Sequence, residues 1–180
     1  MLYGTKNDFI ETFNGILKIK EEDVQVLSES ILRDKVEEIV YNMLFNRDRQ
    51  IRMFLRWVIW EVSQNLGIYP SSIQGLYEAR GKGEIKGFTV PAINLRTLTF
   101  YMASRIFKVA QRINAGSFIF EIAKSEIGYT SQRPQEYTSV ILAAAIKTGF
   151  RGPVFIQGCL LYTSDAADEG LGVDLGGRRI

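Results

Sequence analysis

The chain has 180 residues, with 22 Lys+Arg against 20 Asp+Glu, a formal charge of +2, and 46% hydrophobic residues. That is enough apolar side chain for one globular core, and too little charge to call for nucleic acid or an anionic membrane as a partner. There is no histidine and only one cysteine, which excludes imidazole-built zinc sites, triads with a His base, and internal disulfides. The lone cysteine fits a cytoplasmic setting. Residues 1–15 carry Lys6, Asp8 and Glu11 without an apolar run, so no signal peptide is expected. The most apolar window, 53–62, is broken by Arg56 and Glu61 and is too short to span a bilayer.

Residues 1–87 read mostly as helices. A short helix is expected over 7–13, and 16–20 with 24–27 alternate around Glu21, Glu22 and Asp23 as a small β-hairpin would. Ile31, Leu32, Val36, Ile39, Val40, Met43 and Leu44 recur at helical spacing. Asn46 interrupts that pattern and is expected to cap a second helix, with Asp48 in its first turn. That helix carries Ile51, Phe54, Leu55, Val58, Ile59, Val62 and Leu66 on one stripe and stops at Gly67. Trp57 and Trp60 widen the stripe, so more than one packing neighbour is expected. A third helix follows Pro70, Ser71 and Ser72 as far as Ala79. The run RGKGEIKG (80–87) lacks the G-x-x-x-x-G-K-[ST] spacing of a phosphate loop and reads as a linker.

From Phe88 the pattern changes to a strand over 88–95, a helix over 97–114 and a strand over 117–123. A helix over 134–148 follows, with Pro134 at its start, Glu136 in its first turn and Gly149 at its end, then a strand over 153–158. FIFEIA and VFIQG are nearly continuous apolar runs, as expected for parallel strands covered on both faces. The order βαβαβ predicts right-handed crossovers in an α/β fold, and periodicity leaves doubly wound and closed-barrel versions both open. The absence of G-x-G-x-x-G lowers the dinucleotide-binding version.

Residues 159–180 stand apart. CLLYTSDAAD, followed four residues later by VDLGGRRI, resembles the in-frame translation of a transposase-type sequencing adapter around a variable index. The segment is therefore read as an appended artefact rather than native protein. No apolar periodicity in it is long enough for another helix.

Three further motifs carry a resemblance. VPAINLRTLTF (90–100) resembles the first barrel strand and helix of the class II, zinc-dependent fructose-bisphosphate aldolases. SFIFEIAKSEIGYT (117–130) resembles their second strand and its S-E-G type loop, here Ser125-Glu126-Ile127-Gly128 with one extra residue. RGPVFIQG (151–158) resembles the third strand. The resemblance implies a helical extension over 1–87 followed over 88–158 by the first three strands and two helices of an incomplete (βα)8 TIM barrel. It implies a parent enzyme, a homo-oligomer, that reversibly cleaves a ketose bisphosphate such as fructose 1,6-bisphosphate to dihydroxyacetone phosphate and an aldehyde, with zinc as Lewis acid.

In that family the third strand leads into an Asp-His pair, acid/base and zinc ligand; here Cys159 and Leu160 stand in its place. The chain is thus expected to be an inactive fragment holding no zinc. Barrel sites form at the carboxyl ends of the strands, which points to Asn94, Arg96, Lys124, Ser125, Glu126 and Gln157 as substrate-binding candidates, with Gly158 beside them. No catalytic residue is assigned. Glu121, inside the second strand, reads as half of a structural ion pair, Arg133 as a helix-start contact, and Val140 to Ile146 as a packing face. A non-catalytic aldolase-like assembly subunit and a helical binding module fused to an α/β fragment are the alternatives.

Overall fold

The computed structural model describes residues 2–21 and 23–159. Helix α1 (Lys6–Thr12) begins at a capping box: the Asp8 amide donates to Thr5 Oγ1 and the Thr5 amide to Asp8 Oδ2. Its Phe9 is fully buried against Tyr3, Phe13 and Phe54. Strands β1 (Leu17–Ile19) and β2 (Val24–Val26) form the antiparallel hairpin that the alternation predicts.

Helices α2 (Glu29–Phe45) and α3 (Arg49–Asn65) follow. The cap of α3 is Asp48, whose Oδ1 accepts from the Gln50 amide at 2.7 Å, and not Asn46. Asn46 closes α2 instead and is buried, because its Nδ2 donates to the Tyr3 carbonyl at 2.8 Å and ties down the N-terminal segment. Trp57 packs against the core, whereas Trp60 stays 45% exposed and widens no interface among the described residues. Gly67 ends the helix with φ +67°, a conformation that glycine adopts without a Cβ clash.

A strand that the pattern does not announce comes next. β3 (Ile68–Ser71) precedes α4 (Gln74–Gly81), so the expected helix follows Pro70, Ser71 and Ser72, but Pro70 and Ser71 themselves lie in a strand. Proline is tolerated there because β3 is an edge strand, where one side of the backbone needs no ladder partner. The remaining elements are β4 (Ala92–Asn94), α5 (Thr99–Arg112), β5 (Ile119–Ala123), α6 (Lys124–Thr130), α7 (Pro134–Thr148) and β6 (Gly152–Cys159). Two expectations change: residues 88–91 are not strand, and the expected loop after the second strand is helix α6.

The fold is α/β, built on a four-stranded parallel sheet in the order β3-β6-β5-β4. Helix α7 is apolar on all sides, and Val140 through Ile146 are buried. It lies between α2 and α3 on one flank and α5 on the other, over the sheet. Phe120, Ile122, Val154 and Ile156 meet these helices from one sheet face. The opposite face carries Ala92, Asn94, Glu121, Phe155 and Gln157, exposed or half-exposed. Ile119 and Ala123 of β5 are nonetheless buried on that face, so the apolar run of β5 is covered on both faces and that of β6 on one. β3 joins the sheet from residues 1–87, and α2, α3, α7 and the strands share one hydrophobic core. No described helix is long and apolar enough to cross a membrane.

Candidate site at the carboxyl ends of the strands

Parallel pairing sets Asn94 opposite Glu121 and Glu121 opposite Gln157. Residues in one register row project from the same face, so three polar side chains from three strands line up on the side opposite the helices. Glu121 Oε1 accepts from Gln157 Nε2 at 3.3 Å. One step further along the same face, Cys159 lies opposite Ala123. Its thiol is pushed above the usual range by burial first, then by its hydrogen bond to Glu121 and the charge there.

Glu126 is the best-held group of the site. It sits in the first turn of α6, 4% exposed, and three donors from two segments converge on it. Asn94 Nδ2 donates to Oε2 at 2.8 Å, the Ala123 amide to Oε2 at 2.8 Å, and Arg96 Nε to Oε1 at 2.6 Å. Burial alone would raise the carboxyl pKa. The Ala123, Asn94 and Arg96 hydrogen bonds together with the Arg96 charge outweigh it and hold the group below the usual carboxylate range. Glu126 is thus an ionised acceptor at neutral pH, not a proton donor. The side chain of Arg96 is 60% exposed, leaving its outer N–H groups open to solvent.

Gln132 braces the loop between β4 and α5. Its Nε2 donates to the Leu95 carbonyl at 3.2 Å and the Arg96 carbonyl at 3.3 Å, while Thr99 Oγ1 donates to its Oε1. Leu98, at φ +48°, lies in this braced loop, a conformation that a branched side chain rarely adopts. Tyr137, 1% exposed, donates from its phenol to the Glu121 carbonyl at 2.9 Å and anchors β5 from α7.

Of the six candidates, Asn94, Arg96 and Glu126 meet directly, and Gln157 joins them through the Glu121 row. Lys124 is the first residue of α6 and half-buried, and Ser125 beside it is exposed. Glu121 takes an amide, Gln157, rather than the expected cationic partner. Gln132 and Tyr137 carried no sequence signal, since their contacts span 37 and 16 residues. A cavity of about 370 Å³ lies at the other end of the sheet, where Phe107, Phe118, Phe120 and Phe150 line it with Arg151.

The arrangement can hold a polar or anionic group against Arg96 and the amides of Asn94 and Gln157. It does not fit a zinc ion. The sequence has no histidine, and Glu126 already accepts from three donors, one of them the Arg96 guanidinium. Comparison with protein-family models, with characterised proteins and with solved structures finds no match for this chain.

Proposed function

We propose that this chain is the opening portion of a class II type ketose-bisphosphate aldolase barrel and is itself without catalytic activity. The observation that carries the reading is the Asn94–Glu121–Gln157 row at the carboxyl ends of three successive parallel strands, with the Glu126–Arg96 pair at its rim. Barrel enzymes gather substrate groups at that end. In this reading Arg96 meets an anionic group of the sugar phosphate, and Asn94 and Gln157 orient hydroxyl or carbonyl oxygens. The setting is cytoplasmic, which the lone cysteine fits, and the parent is a homo-oligomer, as the resemblance implies. Zinc in the parent would supply Lewis-acid chemistry from ligands outside this chain.

The saturated state of Glu126 favours one second reading, a non-catalytic aldolase-like subunit that keeps the scaffold for assembly. Resequencing the source gene through the Gly158 codon with adapter-free reads separates the possibilities. Codons for Asp-His next, with further histidines downstream, are the expected result. Persistence of the codons for Cys159 to Ile180 in native DNA would remove the aldolase reading. The purified chain, assayed with fructose 1,6-bisphosphate and added zinc, is expected to give no aldol cleavage; turnover above background would show that it is not an inactive fragment.

A further inference from the structure

Away from the carboxyl-end site, three guanidinium groups act on one carboxylate, with a fourth on the same helix face. Arg49, Arg52 and Arg56 follow each other at three- and four-residue spacing, which puts them on one face of α3. Arg133 stands immediately before Pro134 at the start of α7, the helix on which α3 packs. Glu136, in the first turn of α7, is the counter-charge of Arg56, Arg52 and Arg133, while Arg49 acts on Arg56. Its Oε2 lies 3.6 Å from Arg56 Nη2, within ion-pair range but too far for a hydrogen bond.

The cations differ in how they are held. Arg52 is anchored, its Nη1 donating to the Asn46 carbonyl at 2.5 Å and the Arg47 carbonyl at 3.2 Å. Arg56 is half-buried, and its Nε–H finds no hydrogen-bond partner among the described residues. Burial first, and then repulsion from Arg52 and Arg49, lower its pKa against the pull of Glu136. Arg49 and Arg133 are exposed. A cluster with this excess of positive charge, one member fixed and one under-satisfied, is preorganised for an acceptor-rich anion.

We propose that Arg49, Arg52, Arg56 and Arg133 form a binding site for a small phosphate-bearing anion of the diphosphate class, between α3 and the start of α7. Planar guanidinium forks match phosphate oxygens, and a diphosphate supplies both the negative charge and the acceptor number that Glu136 alone does not. The site is independent of the aldolase reading, since its residues lie among the helices and Arg96 takes no part.

The test is isothermal titration of the full chain with inorganic pyrophosphate at constant ionic strength, on the native protein and on Arg49→Gln, Arg133→Gln and Arg96→Gln. Circular dichroism confirms that each variant is folded. Saturable binding is expected, weakened roughly tenfold by Arg49→Gln and by Arg133→Gln, the size of one lost charge-assisted hydrogen bond. Arg96→Gln removes any separate binding at the carboxyl-end site, and the binding that depends on Arg49 and Arg133 is expected to remain. Three results would overturn the proposal: no saturable binding, binding indifferent to both Arg49→Gln and Arg133→Gln, or binding lost in Arg96→Gln, which would put the anion at the carboxyl-end site. A single-stranded oligonucleotide that binds where pyrophosphate does not would likewise overturn it in favour of a nucleic-acid surface.

Discussion

Asn94 and Glu126 are separated by 32 positions in the chain, yet Asn94 Nδ2 donates to Glu126 Oε2 at 2.8 Å and joins the end of β4 to the first turn of α6. This contact closes the polar cluster, because the same carboxylate also receives the Ala123 amide and Arg96. Replacing the amide by a second acid would set two carboxylates face to face. Asn94→Asp is expected to destabilise more than Asn94→Ala, with the alanine variant losing about 1 kcal/mol. Urea denaturation of both variants at neutral pH checks the order; equal losses would mean that the contact contributes no specificity.

The direction of the Glu126 shift sets a pH dependence. Its folded-state pKa is held below the usual range, so its contribution is present above the unfolded value and is lost as pH falls through the folded one. Glu136 has the opposite sign: burial raises its carboxyl despite Arg56, so its contribution is present at low pH and is lost as pH rises through its folded value. The difference between the native chain and Glu126→Gln isolates the first effect. Denaturation midpoints measured from about pH 6 to about pH 3 should converge as the pH drops. A difference that is constant across that range would rule out the linkage.

Gln132 holds two main-chain carbonyls of the β4–α5 loop with one amide group. Gln132→Ala should free that loop and expose its amides to exchange, at a stability cost of about 1–3 kcal/mol. Hydrogen exchange of residues 95–99 is the readout, and unchanged protection there would show that Leu98 is held by other means.

Tyr137 is buried with its phenol on the Glu121 carbonyl, and burial pushes its ionisation well above the ordinary tyrosine value. Tyr137→Phe should cost about 1 kcal/mol. In the native chain this ring should resist alkaline titration until the protein unfolds. A tyrosine count by ultraviolet titration that matches the unfolded chain while the fold persists would contradict its burial.

The helices of residues 1–87 and the sheet share one core, with Leu55 of α3 and Ile141 of α7 both fully buried in it. Leu55→Ala should therefore lower the unfolding midpoint of the whole molecule, by about 2–5 kcal/mol. Coincident fluorescence and circular-dichroism transitions are the expected signature. Two separated transitions would mean that the helical segment folds as its own module.

Much of this arrangement is local and was legible in the residues. Pro134, Glu136 and Gly149 mark α7 at both ends, because a proline start and a glycine stop act within one turn. The hydrophobic stripes of α2 and α3, the β1–β2 hairpin and the βαβαβ order follow from periodicity alone. Tertiary structure decided the rest. Pro70 became part of β3 because an edge beside β6 was open to it, and Asn46 left the role of helix cap because Tyr3 lies within its reach. Glu126 stands out in the sequence only through its place in the S-E-G type loop after the second strand. Its Ala123 contact is local to the start of α6, but its pairing with Asn94 and Arg96 arises only when the ends of β4 and β5 meet, across 32 and 30 positions of the chain.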